Sequence, residues 1–326
     1  MSQGEDIYKR FGLPKLDLHG ITTYSLRTRR HRVSISDFVP EHVLDEDTHI
    51  ADLLPNILKG KELREIAARV CAAFRSGKPV AVALGGHVVK CGLSHIIIDL
   101  IRRGIVKAVA CTGALVIHDL EIALVGATSE DVAEELREGR FGMAAETAIH
   151  LNEALSSFVT DEVGVGLAVG RYLLERDFPH REHSILAAAA GHDIPLTVHI
   201  AVGTDVIHGH PSTDGALLGK GSHNDFRLFA SVVAQLGEGG CFFNIGSAVV
   251  LPEVFLKAVT LARNLGYPVH GFTTVNMDML QHYRPTENVV RRPVEPGGKG
   301  YSLTGHHEIL LPVLYQMILR ELTGRQ

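Results

Sequence analysis

The chain has 326 residues, is 45% hydrophobic and carries a formal net charge of −5. Its apolar runs stay well short of the roughly 18 residues that span a bilayer, which excludes a membrane-embedded protein. Its one basic cluster, residues 27–32 (RTRRHR), has no aromatic residues around it and is better read as a solvated or subunit-contacting face than as a nucleic-acid site.

The N-terminus lacks the basic-then-apolar layout of a secretory signal, and the four cysteines form no CxxC pair. We therefore expect a cytoplasmic protein. The sequence contains no Pro/Ser-rich linker, low-complexity tract or repeat. A single domain over residues 1–326, with residues 1–50 as an N-terminal extension, is the expected organisation.

Strand and helix patterns alternate along the chain. Helical spacing of apolar residues predicts helices over residues 53–75, 93–103, 130–138 and 141–158. Short apolar runs predict strands over residues 79–84, 107–111, 195–201, 240–245 and 269–275. This alternation predicts an α/β fold: a doubly wound, predominantly parallel, Rossmann-like sheet with helices on both faces.

The first two predicted strands end in small-residue turns. Gly85-Gly86 follows the first strand, and Thr112-Gly113-Ala114 follows the second. Because ligands of parallel sheets sit at the carboxyl ends of strands, these turns predict a nucleotide site. A third glycine-rich stretch, residues 164–170 (GVGLAVG), is one residue too long for a dinucleotide fingerprint and follows no apolar strand. We interpret it as a closely packed helix that borders a substrate pocket.

Histidines and acids cluster in the loops expected at this edge. The sequence contains 19 histidines. Those at the predicted strand ends could transfer protons near neutral pH, whereas an isolated histidine is more often a surface or core hydrogen-bonding group. The candidate catalytic residues are His118, Asp119 and His210, with Lys90 as an imine former. Asp119 or Asp205 would orient the imidazole.

Two groups could instead hold a metal. His208 and His210 lie near Asp205 and His199, and Glu146 with His150 would share a helix face. Neither group matches HExxH, so no metal site is predicted.

Four segments together resemble the deoxyhypusine synthase family. They are residues 79–125, residues 183–205 (HSILAAAAGHDIPLTVHIAVGTD), residues 244–266 (NIGSAVVLPEVFLKAVTLARNLG) and residues 306–319 (HHEILLPVLYQMIL). They occur in the family's order between residues 59 and 319. The resemblance implies a bound NAD cofactor, a homotetramer with active sites shared across an interface, and chemistry on amines.

Carried over by position, the family's cofactor contacts fall on a defined set of residues. These are Gly85, Gly86, His87, Thr112, Gly113, Ala114, Asp205, Gly246, Ser247, Ala248, Asn276, Met277, His306 and His307. A cofactor-contacting acid of the family falls on His118. Candidate substrate-binding residues are His208, Glu253, Glu287 and Arg291.

The chain departs from the family where the family does its chemistry. Pro293 falls nearest the imine-forming lysine, and Pro252 falls on the catalytic histidine. His210 replaces a polyamine-binding acid, and Arg291 lies near a substrate-stacking tryptophan. A dicationic polyamine needs carboxylates, so these changes suit an anionic or neutral substrate and argue against hypusine formation.

The leading hypothesis is therefore an NAD-binding enzyme that dehydrogenates, or transfers a group from, a small amine or hydroxy compound. Three alternatives remain: a polyamine aminoalkyl transferase that makes deoxyhypusine or homospermidine, a nucleotide-binding sensor without catalysis, and a metal-dependent enzyme. The expected partners are a small-molecule substrate and further copies of the chain, with no membrane or nucleic acid.

Overall fold

The computed structural model describes residues 6–324. The predicted domain, 1–326, also takes in residues 1–5 and 325–326, which lie outside the described residues. The six strands of the described sheet are β1 Val80–Leu84, β2 Ala108–Thr112, β3 Leu196–His199, β4 Cys241–Ile245, β5 Thr273–Asp278 and β6 Lys299–Thr304. Their spatial order is β3-β2-β1-β4-β5-β6, and neighbouring strands pair in parallel throughout. The predicted doubly wound α/β fold is confirmed.

The α-helices of the described region are α1 Ile7–Arg10, α2 Leu58–Arg75, α3 His87–Lys90, α4 Ser94–Arg102, α5 Gly113–Val125, α6 Val132–Arg137, α7 Ala145–Phe158, α8 Val165–Glu175, α9 Ile185–Gly191, α10 Gly215–Val233, α11 Val250–Asn264, α12 Tyr283–Pro285 and α13 His307–Thr323. A π-helical turn covers Thr286–Arg291. Short 3-10 helices include Arg181–His183 and Val206–Gly209. No described helix has the length and hydropathy needed to cross a membrane.

Helices cover both faces of the sheet because the strands are apolar on both. Along β1, Val80, Val82 and Leu84 belong to one core cluster, which includes side chains of α2, α4 and α13. The alternate residues, Ala81 and Ala83, belong to a second cluster with side chains of α10 and α11. This is the two-sided burial expected of a parallel strand.

All five predicted strands are present, and the chain adds one that the sequence did not predict. The edge strand β6 (KGYSLT) buries only Tyr301 and Leu303 and leaves its other four residues exposed or half-buried. It therefore lacks the continuous apolar run that identified the central strands. The predicted helix at 53–75 begins later, at Leu58, and the helix predicted at 141–158 begins at Ala145.

The glycine-rich stretch at 164–170 is a packed helix, as predicted. A Cβ on Gly166 would overlap the Leu196 carbonyl of β3, and a Cβ on Gly170 would lie 2.6 Å from the Ala190 side chain. Its glycines therefore serve close packing of α8 on the sheet and on α9.

The strand order fixes one crevice. The chain runs outward from β1 to β3 and then crosses back, so that β4 lies on the other side of β1. The loops that follow β1 and β4 consequently diverge above the same point of the sheet. Ligands of doubly wound folds bind at such a switch point.

Candidate functional site

The crevice between β1 and β4 is built on two glycines. The Gly85 N–H donates to the Ile245 carbonyl at 2.9 Å, and a Cβ on Gly85 would overlap the Gly246 carbonyl. Gly246 itself has φ +71°, a conformation that residues with a side chain rarely adopt. Side chains at these two positions are excluded, because the turns after β1 and β4 pack directly against each other and against His307.

A chain of amides crosses the ends of β4 and β5 beside this crevice. Gln281 Nε2 donates to the Leu303 carbonyl at 3.2 Å, Asn276 Nδ2 to Gln281 Oε1 at 2.8 Å, and Asn244 Nδ2 to Asn276 Oδ1 at 2.7 Å. Asn244 Nδ2 also donates to the Ser247 carbonyl at 2.8 Å.

The orientation of every amide in this chain is determined. Carbonyls only accept, so the Leu303 and Ser247 carbonyls set the direction of each bond between them. The Asn244 side chain must therefore turn its amide nitrogen toward Asn276, and its oxygen is left over. Asn244 Oδ1 is buried and has no hydrogen-bond partner among the described residues. It is a hydrogen-bond acceptor whose capacity the described residues leave unused.

His307 supplies a second such acceptor. It begins α13, is 3% exposed, and hydrogen-bonds the Met277 carbonyl, while burial lowers its pKa. Its Nε2 has no partner in the described structure, so Nδ1 is the atom that donates to Met277. A neutral imidazole protonated on Nδ1 carries a lone pair on Nε2. That atom lies 3.2 Å from where a Cβ of Gly246 would be, at the turn that follows β4.

A cleft of about 770 Å³ opens beside the crevice, lined by α5, the loop that follows it, α7 and the loop after β3. Its titratable lining residues are Lys90, His118, Glu121, Glu130, Glu146, His150 and Asp205. A Cβ on Gly86 would lie 3.1 Å from His118 Cδ2. His118 therefore stands between the glycine turn of β1 and the cleft.

The neighbours of His118 determine the tautomer of its neutral ring. Its Nδ1 lies 2.7 Å from Thr128 Oγ1, and Thr128 Oγ1 donates to Glu121 Oε2 at 2.5 Å. Since the hydroxyl has one proton and gives it to the carboxylate, it must accept from His118 Nδ1–H. The lone pair of neutral His118 is consequently on Nε2. The arrangement suits a general base.

Glu121 anchors this network. It also accepts from Thr147 Oγ1 at 3.0 Å. Burial raises the pKa of Glu121, but the nearby His118 and the hydrogen bonds from Thr128 and Thr147 outweigh burial and lower the pKa overall. The carboxylate therefore stays ionised and can stabilise a protonated His118 through Thr128.

The predicted orienting role of Asp119 is wrong. Asp119 is fully buried and accepts from Ser184 Oγ, from Ile185 N at 2.7 Å and from Leu186 N at 3.2 Å. It satisfies the first turn of α9, and burial raises its pKa to about 6. One hundred degrees of helix rotation separate it from His118, so it points into the core.

Asp205 and His208 form one loop unit at the edge of the cleft. His208 Nδ1 accepts from Gly203 N at 2.9 Å and from Asp205 N at 3.2 Å, and its Nε2 lies 3.8 Å from Asp205 Oδ2. A Cβ on Gly113 would overlap the Asp205 carboxylate, so this acid covers the start of α5. Burial raises the pKa of Asp205. Asp205 lines the cleft, whereas the described structure binds His208 into its own loop.

Four other candidates do not line the cleft. His210 Nδ1 accepts from Ser212 N at 3.2 Å, so its ring closes a local turn. Glu253 pairs with Arg284 at 3.2 Å, and Glu287 pairs with Arg291 at 2.8 Å. Within each pair the two charges, on α11 and α12 or on the π-helical turn, neutralise each other. The physical reason for assigning Glu253, Glu287 and Arg291 to substrate binding is therefore absent.

The remaining predicted positions surround the crevice or the cleft at different depths. Ser247, Asn276 and Met277 are buried, Thr112, Ala114 and Ala248 are half-buried, and His87, Lys90 and His306 are exposed. The sequence did not predict roles for Asn244 and Thr128, and it indicated Glu121 only as one of several possible proton donors or acceptors at this edge. Asn244 interrupts an apolar strand and pairs in register with Asn276, and Glu121 lies three residues after His118 on one helix face. These are signals that could have identified both, whereas Thr128 lies in a loop without such a signal.

No protein-family model matches the sequence, and no curated protein matches it. Among solved structures, unliganded AgrE is similar over 80% of this chain and 32% of its own, with 15% identity and a TM-score of 0.53. AgrE in a ternary complex with ornithine and NAD+ is similar over 81% and 33%, with 16% identity and a TM-score of 0.51. A protein of Entamoeba histolytica provisionally assigned as a deoxyhypusine synthase is similar over 84% and 94%, with 11% identity and a TM-score of 0.49.

This chain thus spans about a third of the length of AgrE. Identities this low show a shared fold alone. The deoxyhypusine synthase resemblance stays a prediction from the sequence.

Proposed function

We propose that this protein binds NAD in the crevice between β1 and β4 and dehydrogenates a small amine or hydroxy compound held in the adjoining cleft. One observation carries the proposal. Two buried acceptors, Asn244 Oδ1 and His307 Nε2, lack donors at the switch point of a doubly wound sheet.

Unpaired buried acceptors point to a ligand that donates hydrogen bonds. A buried polar atom without a partner costs roughly 1–3 kcal/mol, and native proteins retain few of them. Both acceptors are uncharged, so they suit neutral donors rather than cations. The carboxamide of nicotinamide and the ribose hydroxyls of a dinucleotide are donors of this kind.

Bound NAD would supply the hydride acceptor, and the chain would manage the proton. As a carbon of the substrate gives up hydride, the heteroatom attached to it loses its proton to His118 Nε2, and a C=N or C=O bond forms. Thr128 and Glu121 hold His118 with Nε2 available and stabilise its protonated form. The cleft returns the proton to solvent through its open side.

The charges of the cleft favour an amine. Glu121, Glu130, Glu146 and Asp205 line it, and among the described lining residues Lys90 is the one lysine or arginine. The sequence had suggested an anionic or neutral substrate on the strength of His210 and Arg291, but neither lines the cleft. The ornithine in the AgrE ternary complex is a small amine of the matching class.

A ligand-binding assay followed by a turnover screen tests the proposal. A ligand present at 100 times its dissociation constant stabilises the folded state by about 2.7 kcal/mol, so NAD should raise the melting temperature by several degrees. NADH formation is then followed with ornithine, putrescine, spermidine and small hydroxy acids. No thermal shift with NAD, NADH or their phosphorylated forms at millimolar concentration would refute the cofactor assignment.

Two further results separate this proposal from its alternatives. NAD binding without turnover of any amine or hydroxy compound would favour a sensor. Borohydride trapping with spermidine and NAD should leave no adduct on the peptide from Arg291 to Lys299, and an adduct there would favour aminoalkyl transfer. We also propose a homotetramer, and the molar mass measured by light scattering would decide it.

A further inference from the structure

A cluster of histidines lies at the 3-10 helix Arg181–His183, and none of its described residues lines the cleft. Within residues 6–324, His180, Glu182 and His183 are the one group of three His, Cys, Asp or Glu residues whose ligand atoms all lie within 4.8 Å of one another. The short helix brings the three side chains together from a span of four residues.

The two ring nitrogens of His183 have different neighbours. Nδ1 lies 2.6 Å from His95 Nε2, which comes from the first turn of α4. Nε2 lies 3.3 Å from Glu182 Oε1. If Nδ1 keeps the proton and donates it to His95, then Nε2 turns a lone pair toward the carboxylate.

In this tautomer a positive charge is needed between the two atoms, whereas in the other tautomer Nε2–H would donate to Glu182 directly. A lone pair and a carboxylate oxygen repel each other unless a proton or a metal ion joins them. Two ligands bound to tetrahedral Zn²⁺ at about 2.0–2.1 Å are themselves about 3.3 Å apart. The His183 Nε2 to Glu182 Oε1 distance therefore equals the spacing of two zinc ligands.

His180 is fixed beside this pair. Its backbone N–H donates to the Ala123 carbonyl at 3.1 Å, and its ring packs on the turn that ends α5, with Nε2 3.0 Å from where a Cβ of Gly126 would be. The rings of His180 and His183 are 6.2 Å apart between centroids. Two histidines and one glutamate form a ligand set typical of zinc sites that leave a fourth position for water.

We propose that His180, Glu182 and His183 bind one divalent transition-metal ion of the zinc class, and that His95 positions His183 through Nδ1. A second hydrogen bond that fixes the tautomer is the usual companion of a metal-bound histidine. The side chains of His183 and Glu182 are 38% and 62% exposed, so an ion can reach the site directly from solvent.

The ion would join three elements. It would hold residues 180–183 against α4 through His95 and against the end of α5 through His180. Gly126, which His180 contacts, comes two residues before Thr128 in the loop that borders the cleft. The site is independent of the proposed cofactor crevice.

Zinc binding to the full chain tests the site. Protein freed of metal with a chelator is titrated with Zn²⁺ against a chromogenic competitor, and bound Co²⁺ is examined by its visible absorption. Wild type should bind one equivalent, with at least a tenfold loss of affinity in His183→Ala, His180→Ala and Glu182→Gln. His95→Ala should lose roughly 10- to 100-fold, as for other residues that orient a metal ligand.

The control is His192→Ala. His192 is exposed at the end of α9, so this substitution removes one imidazole outside the cluster and should leave zinc affinity unchanged. Circular dichroism confirms the fold of each variant, and Glu182→Gln, at an exposed position, provides a readout if a histidine variant fails to fold. The proposal is overturned if wild type binds no zinc. It is also overturned if Glu182→Gln binds zinc as tightly as wild type and as the control His192→Ala. In that case, a hydrogen bond from His183 Nε2–H to Glu182 accounts for the geometry.

Discussion

The unpaired His307 Nε2 gives a sharp test of the cofactor crevice, because two substitutions separate the two nitrogens of the ring. Asparagine places its amide near the Nδ1 position and can keep the hydrogen bond to the Met277 carbonyl, but it has no atom at the Nε2 position. Glutamine reaches the Nε2 position and can offer an acceptor there. His307→Asn should therefore bind NAD more weakly than His307→Gln.

The magnitude follows from one hydrogen bond. A neutral hydrogen bond contributes about 0.5–1.5 kcal/mol net, which corresponds to about a 2- to 13-fold increase in Kd. Both variants lose the packing of the ring, so urea unfolding without ligand should give similar free energies for the two. Calorimetric titration with NAD measures the difference in affinity. Equal Kd values for His307→Asn, His307→Gln and wild type would show that Nε2 does not face the cofactor.

Three other substitutions test the remaining assignments. Thr128→Val keeps the shape of the side chain but removes the group that orients His118, so turnover should fall by up to about 100-fold while the NAD Kd, measured by calorimetry, stays constant. Asp119→Ala should lower the free energy of unfolding by at least about 2 kcal/mol in urea, because buried donors of α9 lose their acceptor, again with unchanged Kd; a changed Kd with unchanged stability would restore a functional role for Asp119. Burial lowers the pKa of His199 to about 3, so its contribution to stability is present above the unfolded pKa of 6.5 and is lost as the pH falls. Between pH 7 and pH 5, wild type should lose about 2 kcal/mol more than His199→Gln, and equal losses would show that His199 is not held neutral.

The fold was predictable because its central strands are buried on both faces. β1, β2 and β4 read as short apolar runs, and each is followed by a glycine or by a threonine-glycine turn. Those two signals fix the strands and their carboxyl ends from local sequence alone. The edge strand β6 is covered less and alternates, so it resembles a loop until its neighbour β5 is known.

The site was predictable only as far as the edge of the sheet on which it lies. Topology brings the turns after β1, β2 and β4 together, but the orientation of each side chain depends on helix phase. Asp119 faces the core and Glu121 faces the cleft, although both belong to α5. Only the exact start of the helix distinguishes them. Thr128 comes from a loop whose path depends on its packing against α5 and α7, which no local pattern encodes.

The described residues divide the proposed site into two electrostatic halves, and the division bears on the reaction. The crevice presents neutral acceptors, Asn244 Oδ1 and His307 Nε2, whereas the cleft presents carboxylates. An ammonium group is attracted to the second half and gains little from the first. It must also lose a proton before its carbon can give up hydride, since a protonated nitrogen has no lone pair with which to form the new C=N bond. His118 contacts the glycine turn of β1 and lines the cleft, so in the proposed reaction its Nε2 is the atom that would accept this proton.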